Sequence, residues 1–200
     1  MKRLPLLLAL AALAAVAAPG EAAAPFTYTD PAGDARGGSS GLDIVSVTYA
    51  TTGRGAGRGY VPEALVVTVK ASGAIVNAPG VSYRIESEVV RCGYTAFAYS
   101  AATYATGRIY TTCGLPAGTE PGTARVFQIP VDVSGDTITF TAPLDQLAGA
   151  FGRGDVLRQF RAYTGVDDPV FAAYGTNLLW LAGVDAAADR ASSFSRWTIG

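Results

Sequence analysis

The sequence predicts an all-β fold, an antiparallel β-sandwich of roughly eight to ten strands with one short helical turn. Three features of the 200 residues lead to this prediction. Apolar and polar residues alternate with a period of two along most of the chain, and clusters of Gly, Pro, Asp and Ser separate the alternating segments. Helical spacing of apolar residues is scarce. Strands do not alternate with helices, which argues against a parallel doubly wound sheet.

The N-terminus predicts a secretory signal peptide. A basic start is followed by an apolar run of Leu, Ala and Val that has signal-peptide length and is short for a membrane span. Small residues favour cleavage after Ala24, while cleavage after Ala17 or Ala23 stays open because a proline follows the first site. We therefore expect residues 1–24 to be removed and residues 25–200 to form a single secreted β-sandwich domain, with no membrane span.

The first candidate strands open the domain. Residues 42–49 nearly alternate, residues 64–69 place Leu65, Val67 and Val69 on one face, and residues 81–89 alternate throughout. The glycine-rich stretch 53–59 predicts an exposed loop between the first two of these strands.

The next candidate strands are residues 95–101 and 108–113. Residues 125–133 and 136–141 then repeat the alternation on either side of Ser134-Gly135, a dipeptide that predicts a hairpin turn. Together these segments supply the middle strands of the expected sandwich.

Residues 157–164 and 193–199 complete the candidate strands. Pro143 suits the first position of a helix, so the short helical turn is expected at residues 144–147. Residues 177–188 stay ambiguous between helix and strand, because their apolar residues follow a helical spacing but helix caps are few.

The two cysteines, Cys92 and Cys113, predict a structural disulfide. Export exposes thiols to oxidising conditions, and two cysteines in one secreted domain most simply pair with each other. A free thiol pair or a redox pair is the alternative, but the spacing is not Cys-x-x-Cys.

Composition excludes several classes of function. The chain has no histidine, which excludes Ser-His-Asp and Cys-His nucleophile pairs and histidine-ligated zinc. The formal net charge of -1 argues against binding to nucleic acid, which needs a basic face. We therefore expect a protein that is not an enzyme and has no nucleic-acid partner.

Three carboxylates surround a glycine-bearing turn and are the candidate metal ligands: Asp30, Asp34 and Asp43. Calcium prefers several hard oxygen ligands, so the sequence predicts calcium as the cofactor to test. The alternative is that these side chains only hydrogen-bond the backbone of their own turn, as Asx residues do.

Five aromatic residues crowd the segment that the disulfide encloses and are the candidate ligand-binding residues: Tyr94, Phe97, Tyr99, Tyr104 and Tyr110. Exposed aromatic faces could pack against sugar rings while nearby polar groups fix the orientation of the sugar. The alternative is ordinary packing in the core or between strands, and Phe97 and Tyr99 share one face of their strand.

Glu86 and Glu88 point to the same face of a candidate strand. Paired carboxylates can run glycoside hydrolysis if their separation is right and one pKa is raised. The alternative is a solvated face on which Arg84 and Arg91 offset the acidic charge.

The segment Asp30-Pro31-Ala32-Gly33-Asp34, followed by a strand beginning Asp43-Ile44, resembles the start of secreted bacterial DOMON-like domains, which are similar to family 9 carbohydrate-binding modules. The stretches 136–144 and 189–200 are similar to the late strands of such domains. The resemblance implies a two-sheet sandwich that binds sugars, haem or other ligands or serves as an accessory domain. Haem ligation in that group uses Met or His, and residues 25–200 contain neither.

These observations predict a secreted, non-catalytic binding or accessory domain whose partner is an extracellular glycan, a protein surface or other cell-surface material. One alternative is a carboxylate-dependent secreted hydrolase, which requires acidic residues to converge in one pocket. The other alternative is a purely structural or protein-interaction module, which requires an exposed apolar patch or an unpaired edge strand.

Overall fold

The structure is a computed structural model that describes residues 23–35, 39–78, 80–99, 107–120, 122–166, 182–187 and 195–200. These residues form twelve strands and two short 3-10 turns, at Ser40–Leu42 and Gly57–Gly59. The strands are β1 (Phe26–Thr29), β2 (Ile44–Arg54), β3 (Val61–Ala71), β4 (Val81–Val89), β5 (Gly93–Tyr99), β6 (Gly107–Thr111), β7 (Arg125–Ile129), β8 (Val131–Ser134), β9 (Thr137–Pro143), β10 (Val156–Val166), β11 (Ala182–Ala187) and β12 (Arg196–Thr198).

The strands form two antiparallel sheets, which confirms the predicted all-β sandwich. The first sheet has five strands in the order β1-β2-β3-β9-β8. The second has seven strands: six follow the order β11-β10-β4-β5-β6-β7, and β12 also pairs with β10. Strand β4 lies inside this second sheet, between β10 and β5, and its outward-facing side chains belong to the candidate functional site.

The core contains the inward-facing side chains of both sheets. Val47 and Val67 from the first sheet and Ile85, Phe97 and Phe160 from the second are all completely buried. Each large apolar side chain that is removed from water in this way stabilises the fold by roughly 1.5–3 kcal/mol.

Aromatic rings form one end of this core. The ring centroid of Phe160 lies 4.5 Å from that of Phe26 and 4.9 Å from that of Tyr49. Trp197 extends the group, since its ring centroid lies 6.2 Å from that of Tyr49. These rings join strands β1, β2, β10 and β12, so they connect the two sheets directly.

Two predicted elements differ from the structure. A proline divides one predicted strand, and one predicted helical turn is too short to form. The expected strand at residues 125–133 is divided at Pro130, where the chain passes from the second sheet to the first, since proline lacks the N–H that would continue the ladder. The helical turn expected at 144–147 is absent. A run of turns covers residues 144–150 instead, and the Leu144 N–H donates to the Glu63 carbonyl oxygen at 2.8 Å. So short a helix gains too few internal hydrogen bonds to offset its nucleation.

Two strands were not predicted. Strand β1 has four residues, too few to show a periodic pattern. Strand β11 lies in the stretch 177–188 that the sequence left ambiguous, and its antiparallel pairing with β10 decides the assignment.

The two predicted turns are present. Ser134 pairs with Thr137 across the hairpin of β8 and β9, so Gly135 and Asp136 form a two-residue loop. Gly135 has φ +58°, the left-handed conformation that such a loop needs at its first position. The glycine-rich stretch 53–59 runs from the exposed end of β2 into the loop that leads to β3.

The two ends of the described chain meet. The Trp197 indole Nε1 donates a hydrogen bond to the Ala24 carbonyl oxygen at 2.8 Å. Gly200 lies against the Ala23 backbone so closely that an added Cβ would approach the Ala23 nitrogen to 2.3 Å. The predicted signal peptide falls outside the described residues except for these two alanines. Across the described ranges, no helix has the length and apolar character needed to cross a membrane.

Candidate functional site

The outer face of the second sheet carries a concentration of charged and aromatic side chains. Along β4 the side chains of Tyr83 and Ile85 are buried in the core, whereas those of Arg84, Glu86 and Glu88 are only partly buried on the opposite face. The neighbouring strands add Tyr94 from β5 and two arginines from β10, because Glu88 pairs in register with Tyr94 on one side and with Arg158 on the other.

Glu86, Arg84 and Tyr94 form a closed group. The Arg84 Nε lies 2.7 Å from Glu86 Oε1, and the Tyr94 hydroxyl donates to the same oxygen at 2.8 Å. The Arg84 guanidinium also donates to the Tyr94 hydroxyl, and its central carbon lies 5.7 Å from the centroid of the tyrosine ring. Burial raises the pKa of the Tyr94 phenol well above its usual value, so the phenol stays protonated and remains a donor.

Glu88 is held by a second arginine. Arg158 Nε donates to Glu88 Oε2 at 3.0 Å, and Arg158 Nη2 donates to Oε1 at 2.6 Å. These hydrogen bonds lower the pKa of Glu88, which is the opposite of what a general acid in glycoside hydrolysis requires. Glu86 and Glu88 line one cleft, as the hydrolase alternative requires, but the lowered pKa of Glu88 does not suit a general acid, and that alternative stays a prediction.

The predicted charge partners of this face are only partly right. Arg84 pairs with Glu86, as expected. Arg91 does not face these glutamates: it forms a bidentate ion pair with Asp155 and donates to the Ala150 carbonyl oxygen at 2.9 Å. Arg91 belongs to the turn after β4, where the alternation that places side chains on the outer face has ended.

A β-bulge interrupts the pairing of β10 with β4. The register shifts between Arg158 and Arg161, so two residues, Gln159 and Phe160, stand opposite the single Ser87. Gln159 has φ +55°, and within the described ranges it is the one non-glycine residue with a positive φ. Phe160 points into the core while Gln159 is exposed. Bulges of this kind re-aim side chains and are frequent beside functional sites.

The bulge, β4 and the start of β5 enclose a shallow cleft of about 250 Å³. Its lining residues are Glu86, Ser87, Glu88, Gly93, Tyr94, Gln159 and Arg161. Pockets that bury a whole small ligand usually measure roughly 300–1,000 Å³, so this cleft fits one ring or one polar group of a longer molecule.

The structure separates the predicted aromatic residues into two groups. Tyr94 and Tyr110 are partly exposed on the outer face of the second sheet. Phe97 and Tyr99 are buried in the core, so the expectation that they contact a ligand is wrong. Their shared face is the inner one, because they pair in register with the core residues of β4. Tyr104 lies outside the described residues.

The contacts of the two buried rings explain why they serve the core. The Phe97 ring centroid lies 5.9 Å from that of Phe140, across the sandwich. The Tyr99 hydroxyl donates to Asn77 Oδ1 at 3.0 Å, which satisfies its polar end.

Asp43 lies at the centre of the predicted metal site. It is buried, and its Oδ2 accepts hydrogen bonds from the Gly33 N–H at 2.7 Å and the Ser72 hydroxyl at 2.6 Å. Burial acts to raise the pKa of Asp43. The hydrogen bonds from Ser72, from Gly33 and from the residues that follow Gly33 outweigh this effect and hold the pKa of Asp43 below its usual value. Asp43 thus fastens the turn after β1 to the chain that leaves β3.

The other two predicted metal ligands lie in the same turn. The Asp34 carboxyl group is adjacent to that of Asp43, while the Asp30 N–H donates to the Val45 carbonyl oxygen at 3.0 Å and prolongs the pairing of β1 with β2. In the described part of the chain, no three or more acidic, histidine or cysteine side chains lie close enough to one another to bind one metal ion. Calcium binding by Asp30, Asp34 and Asp43 stays a prediction.

The predicted disulfide is present. Cys92 and Cys113 are bonded, with their Cα atoms 4.9 Å apart, and no cysteine is free. The bond joins the turn before β5 to the residues that follow β6, next to the strand that positions Tyr94.

Sequence reasoning missed four side chains of the outer face: Arg108, Arg158, Gln159 and Arg161. Strict alternation along the stretch 157–164 would place Arg158 and Arg161 on opposite faces, and only the bulge between them brings both to the outer face. That these arginines lie beside Glu86 and Glu88 depends on which strands pair, and the sequence does not show this.

Comparison of the whole chain with protein-family models, with curated proteins and with solved structures found no match.

Proposed function

We propose that this chain is a secreted, non-catalytic binding domain, and that its ligand is a glycan bound on the outer face of the second sheet. The observation that carries the proposal is the cleft between β4, β5 and β10, where a tyrosine ring adjoins carboxylate, amide and guanidinium groups. A sugar ring offers an apolar C–H face and several hydroxyl groups. Such a ligand matches a site that combines one aromatic surface with convergent polar groups.

The backbone of the cleft can keep its conformation when a ligand binds. Its lining residues belong to three paired strands or to their ends, so the backbone beneath them is held by the sheet. Glu86 and Glu88 are both oriented by arginines and keep acceptor capacity for hydroxyl groups. Polar groups that are already fixed lose little entropy when a ligand arrives.

Two further features support a secreted binding role over an enzymatic one. The chain has no histidine, and hydrogen bonds from Arg158 lower the pKa of Glu88. The disulfide fits an oxidising compartment, as does the predicted signal peptide. The Asp-Pro-Ala-Gly-Asp turn, which resembles the opening of DOMON-like domains, agrees with a binding or accessory role.

The experiment that tests this proposal compares two substitutions of Tyr94. Isothermal titration of the wild-type protein with a panel of cell-wall oligosaccharides identifies the best ligand, and the titration is then repeated with Tyr94→Ala and Tyr94→Phe. If the ring packs against a sugar, Tyr94→Ala abolishes binding while Tyr94→Phe, which keeps the ring, retains most of the affinity.

Two outcomes would contradict the proposal. The first is that the wild-type protein binds no oligosaccharide of the panel. The second is that Tyr94→Ala binds as tightly as the wild-type protein, which would place the ligand elsewhere. Urea unfolding of both variants serves as the control, because a loss of binding counts only where the variant is folded.

A further inference from the structure

We infer that the cleft selects saccharides that carry a carboxylate group, and that Arg161 is the residue that binds this group. The inference rests on the proposed glycan-binding function and names its ligand class. It is drawn from the charges of the outer face, from the position of Arg161 in the cleft and from the bulge that brings Gln159 beside it.

The acidic groups of the cleft are already neutralised. Glu86 is paired with Arg84, and Glu88 is paired in a bidentate manner with Arg158. Neither carboxylate therefore presents an uncompensated negative charge that would repel an anionic ligand.

Arg161 differs from these paired arginines. It lines the cleft and is exposed, and none of the ion pairs found among the described residues includes it. Arg196, which is also exposed, pairs in register with Arg158 and adds a second cation at the edge of the same sheet. The local charge of this face is positive, although the chain as a whole has a formal net charge of -1.

The bulge supplies a second group for the same ligand. The left-handed backbone at Gln159, with φ +55°, is unfavourable for a residue with a side chain, and such conformations concentrate at ligand-binding sites. The bulge places the Gln159 side chain on the wall of the cleft together with that of Arg161. An amide N–H beside a guanidinium is a donor set that suits a carboxylate.

The chemistry favours a carboxylate over a longer polyanion. The planar fork of a guanidinium matches the two oxygens of one carboxylate. A nucleic acid would require several phosphate contacts along an extended basic surface, whereas this cleft is lined by one arginine, Arg161, which lies in register opposite Glu86 and belongs to none of the ion pairs of the described residues. A uronic acid supplies a single carboxylate on a sugar ring whose C–H face is free for Tyr94.

The test uses one saccharide in two charge states. Oligogalacturonate is compared with the same oligosaccharide as its methyl ester, which keeps the rings and removes the negative charge. Titration calorimetry measures both with the wild-type protein and with the variants Arg161→Gln and Arg161→Lys. Arg153→Gln is the matched control, because Arg153 is also exposed and lies outside the cleft.

The wild-type protein is expected to bind the acid about tenfold or more tightly than the ester, with an affinity that falls as salt is added. Arg161→Gln should bind both forms equally and weakly. Arg161→Lys should be intermediate, because it keeps the charge and loses the fork. Arg153→Gln should behave as the wild-type protein does.

The possible failures are distinguishable. If acid and ester bind the wild-type protein equally, the glycan function stands and the carboxylate selectivity is overturned. If Arg161→Gln keeps the preference for the acid, or if Arg153→Gln loses it equally, the assignment to Arg161 is overturned. If neither saccharide nor any other oligosaccharide of the panel binds, the proposed function fails together with the inference.

Discussion

Replacing Asp43 with alanine should remove a large part of the stability of this fold. The carboxylate accepts charge-assisted hydrogen bonds from the Gly33 N–H and the Ser72 hydroxyl, and each such bond stabilises a protein by about 1.5–3 kcal/mol. Asp43→Ala also leaves both donors without their acceptor, so we expect the free energy of unfolding to fall by about 4 kcal/mol. That loss is a large fraction of the roughly 5–15 kcal/mol that typical domains have.

Urea unfolding followed by tryptophan fluorescence measures this loss. Asp43→Asn keeps one acceptor oxygen and should cost less than Asp43→Ala, while Asp132→Ala, at an exposed aspartate on β8, should change stability little. The lowered pKa of Asp43 adds a pH dependence. Its contribution is present above the unfolded-state pKa of about 3.9 and is lost as the pH falls through the lower folded-state pKa. A loss below about 1 kcal/mol for Asp43→Ala would refute the role of this carboxylate as an anchor.

The same proteins test the calcium prediction. If calcium binds between Asp34 and Asp43, millimolar calcium should raise the Tm of the wild-type protein relative to a chelator, since a ligand of the folded state stabilises it. Asp43→Asn should lose this increase. An identical wild-type Tm in calcium and in chelator would contradict the prediction.

Three further predictions concern the rest of the fold. Reduction of the bond between Cys92 and Cys113, which closes a loop of sequence separation 21, should lower the free energy of unfolding by about 3 kcal/mol, and an unchanged urea midpoint would contradict this. Phe160→Ala should destabilise by about 3–5 kcal/mol in the same assay, because the side chain is fully buried; a cost below about 1 kcal/mol would contradict the packing described. The Arg158 guanidinium lowers the pKa of Glu88, so the stabilisation from this pair is present near neutral pH and is lost as the pH falls through the folded-state pKa. Glu88→Gln should therefore differ from the wild-type protein less at pH 3 than at pH 7, and a constant difference would argue against the ion pair.

The parts of this fold that local pattern determines could be predicted from the sequence. Residues 81–89 were expected as a strand from their alternation and form β4 with those bounds. The Ser134-Gly135 dipeptide indicated the hairpin of β8 and β9, because a glycine can adopt the backbone conformation that the turn needs.

The parts that depend on which strands meet could not be predicted. Periodicity showed that Phe97 and Tyr99 share a face, but only the pairing of β5 with β4 shows that this face is the core. The left-handed Gln159 has no local signal either. Its conformation follows from an extra residue in β10 opposite Ser87, and that mismatch becomes visible only when both strands are aligned.

The hydrogen bond between the Trp197 indole and the Ala24 carbonyl bears on where the predicted signal peptide would be cleaved. A peptidase that cuts after Ala24 would remove that carbonyl, together with the Ala23 backbone that packs against the last residue of the chain. A cut after Ala23 would keep the hydrogen bond alone, whereas a cut after Ala17 would leave both contacts in place. Strand β12 has both contacts only in a chain that retains both alanines, so, if the predicted signal peptide is removed, these contacts favour the site after Ala17.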